Sequence, residues 1–99
     1  MKTYIYILKL LPKFKDKENW NEKDSVALEK HESRLERQKK RGTVKFVGRT
    51  DLPIDNDENF GLVVFESDNE ETAELFAQSD PAVMGKLMSV SCFPFKHVL

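Results

Sequence analysis

TYIYILKL, residues 3 to 10, is dense in β-branched and aromatic residues and is closed by Pro12, which has no backbone N–H to give to a sheet. A first strand is expected there. Side chains alternate along a strand, so Ile5 and Ile7 share one face while Tyr4, Tyr6 and Leu8 share the other. Residues 11 to 20 are polar and Lys-rich and read as a connection. The rhythm then changes. Asn21 followed three positions later by Asp24 has the form of an N-cap pair, and EKDSVALEKHESRLERQKKR runs from there to Gly42 without Gly or Pro. That is a first helix, on which Leu28, His31, Leu35 and Gln38 recur at spacings of three and four and point inward together.

Val44, Phe46 and Val47 mark a second strand ending near Gly48 and Arg49, and TDLPIDNDEN has the turn chemistry of a loop. FGLVVFE is the third strand. Ser67 with Glu70, or Asp68 with Glu71, offers a capping box for a second helix over ETAELFAQ, which ends before Asp80-Pro81. A last strand runs from about Leu87 through MSVSCF to Pro94, leaving FKHVL as a tail. The order βαββαβ is that of an α+β, ferredoxin-like unit, a four-stranded antiparallel sheet with two helices on one face. Two helices cover only one side of that sheet, yet the strands are apolar on both. The bare side would expose an apolar patch larger than monomers usually carry, so a homodimer is expected, with the sheets face to face and a ligand enclosed between them.

Composition narrows the function. At 99 residues the chain makes one domain over 1–99, and 39% apolar with 33% charged residues is the profile of a globular chain. Sixteen basic against seventeen acidic residues leave no field to gather nucleic acid or an anionic membrane, so an anionic ligand must be held locally. No stretch reaches the roughly 20 apolar residues that span a bilayer. Met1 to Leu11 reads as a strand rather than a cleaved leader, and one cysteine, Cys92, suits a reducing, cytoplasmic setting.

Several segments together resemble the YciI-like (YCII-related) family, a branch of the dimeric α+β barrel proteins, over most of the chain. HESRLERQKKRG matches a helix with His, an apolar residue four positions later and a terminating Gly, here His31, Leu35 and Gly42. KFVGRT looks like the family's second strand, with Gly48 and Arg49 at its end. SDPAVMGKLMSVSCFPF resembles the most specific stretch, an Asp-Pro pair (Asp80, Pro81), a strand, and an aromatic-Pro-aromatic close. Lys86 stands where the family usually has Gly, a departure that bears on the turn into the last strand. The resemblance implies a His and Asp dyad in a cleft of a dimeric barrel, among relatives that act as lactone isomerases, dehydrochlorinases or oxygenases.

Histidine is the side chain best suited to moving protons in the physiological range, and an aspartate bonded to one nitrogen of His31 would fix its tautomer and free the other for that role. Asp80 is the orienting partner that the resemblance supplies. Spacing by itself also permits a plainer picture, a partly buried helix histidine and an aspartate that merely opens a turn before Pro81. Arg49 could hold a carboxylate in bidentate fashion, or pair with Asp51 or Asp55 at the surface, with Thr50 as a neighbour. Tyr4, Tyr6, Ser89 and Ser91 alternate on strands that could face the interior and present hydroxyls to a ligand, or edge a core.

Other signals are discounted. Asp55, Asp57, Asn59 and Glu66 sit at EF-hand positions, but Phe60 replaces the required Gly, and an extended strand of more than about 10 Å keeps Glu66 away. Arg34, Arg37, Lys39, Lys40 and Arg41 read as a solvated face that complements the helix dipole. Cys92 reads as a buried small hydrophobe, and His97 lacks companions for a metal. No serine lies in a nucleophile elbow and no cofactor motif is visible. Two functions follow: a cofactor-free enzyme of isomerase or lyase type, with His31 moving a proton, Asp80 orienting it and Arg49 holding an anionic group, or a non-catalytic small-molecule-binding module using the same pocket.

Overall fold

The computed structural model describes all residues, Met1–Leu99. Strand β1 is Lys2–Leu10, helix α1 Glu22–Arg41, strand β2 Val44–Arg49, strand β3 Gly61–Ser67, helix α2 Glu70–Gln78, a one-turn helix α3 Pro81–Met84, and strand β4 Met88–Pro94. The sheet has the order β2-β3-β1-β4 with every pair antiparallel. This is the ferredoxin-like topology, with the helices on one side.

The alternation in β1 sets the layers. Tyr4, Tyr6 and Leu8 join Val63 and Phe65 of β3 and Val44 of β2 on the helix-facing side, where Leu35 of α1 and Ala73 and Ala77 of α2 close the core. Each large side chain sealed there contributes roughly 1.5–3 kcal/mol, and Tyr6 and Phe65, both fully buried, pack edge to face at 5.6 Å. Ala73 and Ala77, one turn apart and without bulk, let α2 lie close on the sheet. A register shift between Val44 and Phe46 turns Phe46 to the opposite side, opposite Val64.

The ends of α1 are as expected: Asn21 and Asp24 exchange both capping-box hydrogen bonds at 3.0 Å, and Gly42 takes a left-handed φ of 87° that closes the C-terminus onto Lys39. The cap of α2 differs from expectation. Asn69 fills it, accepting the Thr72 N–H at 2.8 Å, because it is the residue immediately outside the helix with a short acceptor side chain. The connection from 11 to 20 is also more ordered than its polarity suggests. It forms two 3-10 turns, Pro12–Lys15 and Lys17–Asn19, anchored by buried Phe14, against which Trp20 packs at 5.4 Å while its indole N–H donates to the Phe14 carbonyl at 2.8 Å.

Arg34 departs from the solvated face assigned to it. It is half-buried, its guanidinium lies 4.1 Å over the Phe76 ring, and Nη2 donates to the Phe76 carbonyl at 2.6 Å, satisfying one of the orphan carbonyls at the end of α2. Its position three residues after His31 carries it onto the inward stripe of α1.

Candidate active site

His31 and Asp80 arrive from opposite ends of the sequence. His31 lies on the buried stripe of α1 between Asp24 and Leu35. Asp80 is the N-cap of α3, its side chain accepting the Ala82 N–H at 2.9 Å, with Pro81 at the first helical position. What brings the two elements together is Gly85, which closes α3: a Cβ there would stand 3.0 Å from the Pro81 carbonyl oxygen and 3.1 Å from Cβ of Ala27, the residue one turn before His31. A side chain there would require its neighbours to give by a few tenths of an ångström, so glycine lets α3 sit that close to α1 without adjustment. Lys86, next in the chain, adopts φ 59°, the left-handed conformation that glycine takes without strain, so the turn into β4 forms despite the lysine.

The result is a closed polar network inside the core. Nδ1 of His31 lies 2.7 Å from Oδ1 and 2.9 Å from Oδ2 of Asp80, and the Tyr6 hydroxyl donates to Oδ2 at 2.7 Å. Asp80 is fully buried. Burial alone would push its carboxyl up, but the hydrogen bonds from His31, Tyr6 and the Ala82 N–H, with the charge of His31, outweigh it and hold Asp80 below the usual carboxylate range. An ionised Asp80 only accepts, so Nδ1 carries the proton and the lone pair of a neutral His31 ring is on Nε2. Nε2 has no hydrogen-bond partner within the chain, and the sole sealed side-chain polar atom without one is Nη1 of Arg34. The imidazole is thus clamped at one nitrogen and open at the other.

His31 lines a pocket of about 480 Å³ whose walls are α1, the helix-facing ends of β1, β2 and β3, and the loop over residues 50–60. Leu8, Leu28 and Val63 form an apolar floor, Trp20 and Phe60 add aromatic surface, and Arg49 and Glu32 supply charge. The loop is held by Thr50, whose hydroxyl bonds Asn59, and by Asn59, whose amide reaches the Pro53 carbonyl at 3.2 Å; Lys15 pairs with Asp57 and ties it to the first 3-10 turn. No three His, Cys, Asp or Glu side chains converge anywhere in the chain as a metal would require.

Comparison with known proteins settles the lineage: residues 9–96 match the YCII-related domain. The chain belongs to the YCII-related family. A solved structure, 5-chloro-2-hydroxyhydroquinone dehydrochlorinase from Burkholderia phenoliruptrix AC1100 in complex with 2,5-dihydroxybenzoquinone, shares the fold with a TM-score of 0.62 at 15% identity, over 97% of this chain and 95% of that one. No curated protein matches the sequence.

Within this YCII-related chain the residues nominated from sequence divide into four groups. His31 and Asp80 meet, and Arg49 opens onto their pocket without an ion pair to Asp51 or Asp55. Tyr6 does not offer its hydroxyl to a ligand: it is fully buried and stands behind Asp80. Ser89 and Ser91 are not brought to the site at all. They alternate with Met88, Val90 and Cys92, which pack on the helix-side core, so they point from the opposite side of the sheet. Thr50 acts on the loop rather than on the pocket lining. The pocket itself lies on the helix side of the sheet, against the middle of α1, where Leu28, His31, Glu32 and Leu35 line it. Trp20, Ile54 and Phe60 were missed, although large apolar residues stranded in two polar connections are a signal of something to cover.

Proposed function

We propose that this chain binds a small, largely apolar molecule bearing an anionic oxygen group and moves a proton on it, in an isomerase or lyase type reaction. The observation that carries the reading is the asymmetry of His31, with Nδ1 taken by a buried carboxylate and Nε2 free on a pocket wall shared with an unpaired arginine. In the step envisaged, Nε2 takes a proton from carbon beside a carbonyl: the C–H bond breaks, an N–H bond forms, and the electron pair moves into the carbonyl as an enolate. Asp80 stabilises the imidazolium, and Arg49 holds the carboxylate or enolate oxygen. Return of the proton elsewhere completes an isomerisation; departure of a β-substituent completes an elimination. The volume fits a molecule of metabolite size, and the neighbouring dehydrochlorinase structure, which holds a dihydroxybenzoquinone, supports the idea that this fold can house such a ligand.

The working form in this proposal is a homodimer in the reducing cytoplasm. Phe46 and Phe93 are 58% and 50% exposed on the side of the sheet away from the helices, next to Ile7, Leu62 and Val64, and a second copy would cover them. The test is a panel of small keto and hydroxy carboxylates screened by thermal shift and then by NMR for exchange of carbon-bound protons with deuterium oxide. Binding that weakens in Arg49→Ala, with exchange that vanishes in His31→Ala, is the expected outcome. Binding without exchange in the wild type would leave a ligand-binding module, and binding indifferent to both residues would refute the assignment.

A further inference from the structure

The dyad has a third member whose chemistry neither the family match nor the proton-transfer reading assigns. Tyr6 sits at the centre of β1, its ring packed at 5.6 Å against Phe65 and 6.1 Å against Phe76, with no exposed surface. Its position would be filled equally well by phenylalanine if packing were the only demand. Instead it carries a hydroxyl into the core, where a polar group without a partner is costly, and that hydroxyl donates to Oδ2 of Asp80 at 2.7 Å. At that length it is a well-formed O–H···O hydrogen bond, and the acceptor is the carboxylate that His31 also holds.

We propose that Tyr6 is a positioning residue: its hydroxyl locks the Asp80 carboxylate in the orientation that His31 reads and draws off part of its charge, thereby setting how strongly the imidazole is held and how basic its free nitrogen is. The inference deepens the proton-transfer reading, since it concerns the same site, but its physical content does not need turnover. Three donors sharing one carboxylate compete for its electron density. Oδ1 receives the Ala82 N–H at 2.9 Å and the closer His31 contact; Oδ2 receives Tyr6 and the longer His31 contact at 2.9 Å. Removal of the phenol leaves Oδ2 more negative and free to turn toward the ring. Tyr6 also stays a donor throughout the working range, because burial, the charge of Asp80 and the hydrogen bond to it all push its own ionisation far up, against a smaller opposing effect of Arg34. The titratable and charged groups acting on the pair are His31 and Arg34 from α1, Tyr6 from β1 and Cys92 from β4.

The experiment is NMR of the full chain with labelled aspartate carboxyl and histidine ring, comparing wild type, Tyr6→Phe and Tyr4→Phe. Tyr4 is a control, since it is buried beside Phe65 on the same strand but makes no bond to Asp80. The expected result is that Tyr6→Phe moves the Asp80 carboxyl titration to higher pH and the His31 Nδ1 proton resonance downfield, while Tyr4→Phe moves neither. Asp80 and His31 signals that coincide in wild type and folded Tyr6→Phe, or that shift equally in both variants, would overturn the inference. Should Tyr6→Phe not fold, uniform 3-fluorotyrosine gives a more acidic phenol in the intact chain, and the Asp80 titration should move the opposite way, to lower pH; no movement there counts against the role. These signals report on the network whether or not a substrate is ever found, so absence of turnover beside a shifted Asp80 removes the reaction and leaves the positioning.

Discussion

The two sides of this sheet invert what burial usually selects. The side under the helices hides an ionised carboxylate, an imidazole and a phenol, each satisfied by the others, whereas the opposite side leaves two phenylalanines half open to water. A buried charge without partners costs several kcal/mol, so the covered side tolerates its network only because every acceptor position on Asp80 that matters is filled. The bare side carries no such obligation. Its apolar rings leave no polar group unsatisfied, and under the homodimer proposal a second copy would cover them. The lesson is that the covered side concentrates specificity and fragility in a few atoms, while the bare side spreads apolar surface over many, none of them indispensable to the single chain.

That contrast can be broken most severely at Asp80. Asp80→Ala strands the Tyr6 hydroxyl, the Ala82 N–H and His31 Nδ1 together, and a loss of about 3–5 kcal/mol is expected in urea denaturation, enough to unfold a marginal domain. His31→Ala should cost less, about 1–3 kcal/mol by the same measurement, because Asp80 keeps Tyr6 and the Ala82 N–H. Gly85→Ala tests the joint rather than the network. The new methyl must be accommodated against Ala27 and the Pro81 carbonyl, at a cost of about 1–3 kcal/mol, and a crystal structure should find Asp80 drawn back from His31.

Acid gives a subtler handle. The Asp80 carboxyl is held below its ordinary value of 3.8, so the stabilisation it confers is fully present above that value and is lost as pH falls through the lower, folded one. Stability measured between pH 5 and pH 2, a range set by about a unit or two on either side of that value, should therefore drop on acidification, and the drop should be shallower in Asp80→Asn. At the weak end, Phe46→Glu and Phe93→Glu on the bare side should change the stability of the single chain by no more than about 0.5 kcal/mol, yet shift sedimentation toward a monomer. A large stability loss from either would erase the distinction between the two sides.

Much of this was legible in the chain because local chemistry and tertiary demand agreed. The alternation of Tyr4, Tyr6 and Leu8 against Ile5 and Ile7, the Asn21 and Asp24 pair, and the glycine at 42 each stated a local rule that the fold obeys. What escaped was set by contacts distant in sequence. Arg34 looks like one more cation in a basic run until Phe76, 42 positions away, supplies a ring and an orphan carbonyl. Tyr6 reads as a strand tyrosine with a spare hydroxyl until Asp80, 74 positions on, accepts its hydrogen bond. Ser89 and Ser91 alternate as expected, but alternation does not say which side is which, and a shift of one residue exchanges the two. The one-turn helix after Pro81 is too short to have a periodicity, and only the N-cap role of Asp80 marks it.

The most direct trial of the account is the protonation pattern of the His31 ring, read from long-range proton–nitrogen NMR correlations in the full chain at a pH where the ring is neutral. A proton on Nδ1 and a bare Nε2 is the result that the Asp80 contact requires; a proton found on Nε2, with Nδ1 unprotonated beside the carboxylate, would contradict it.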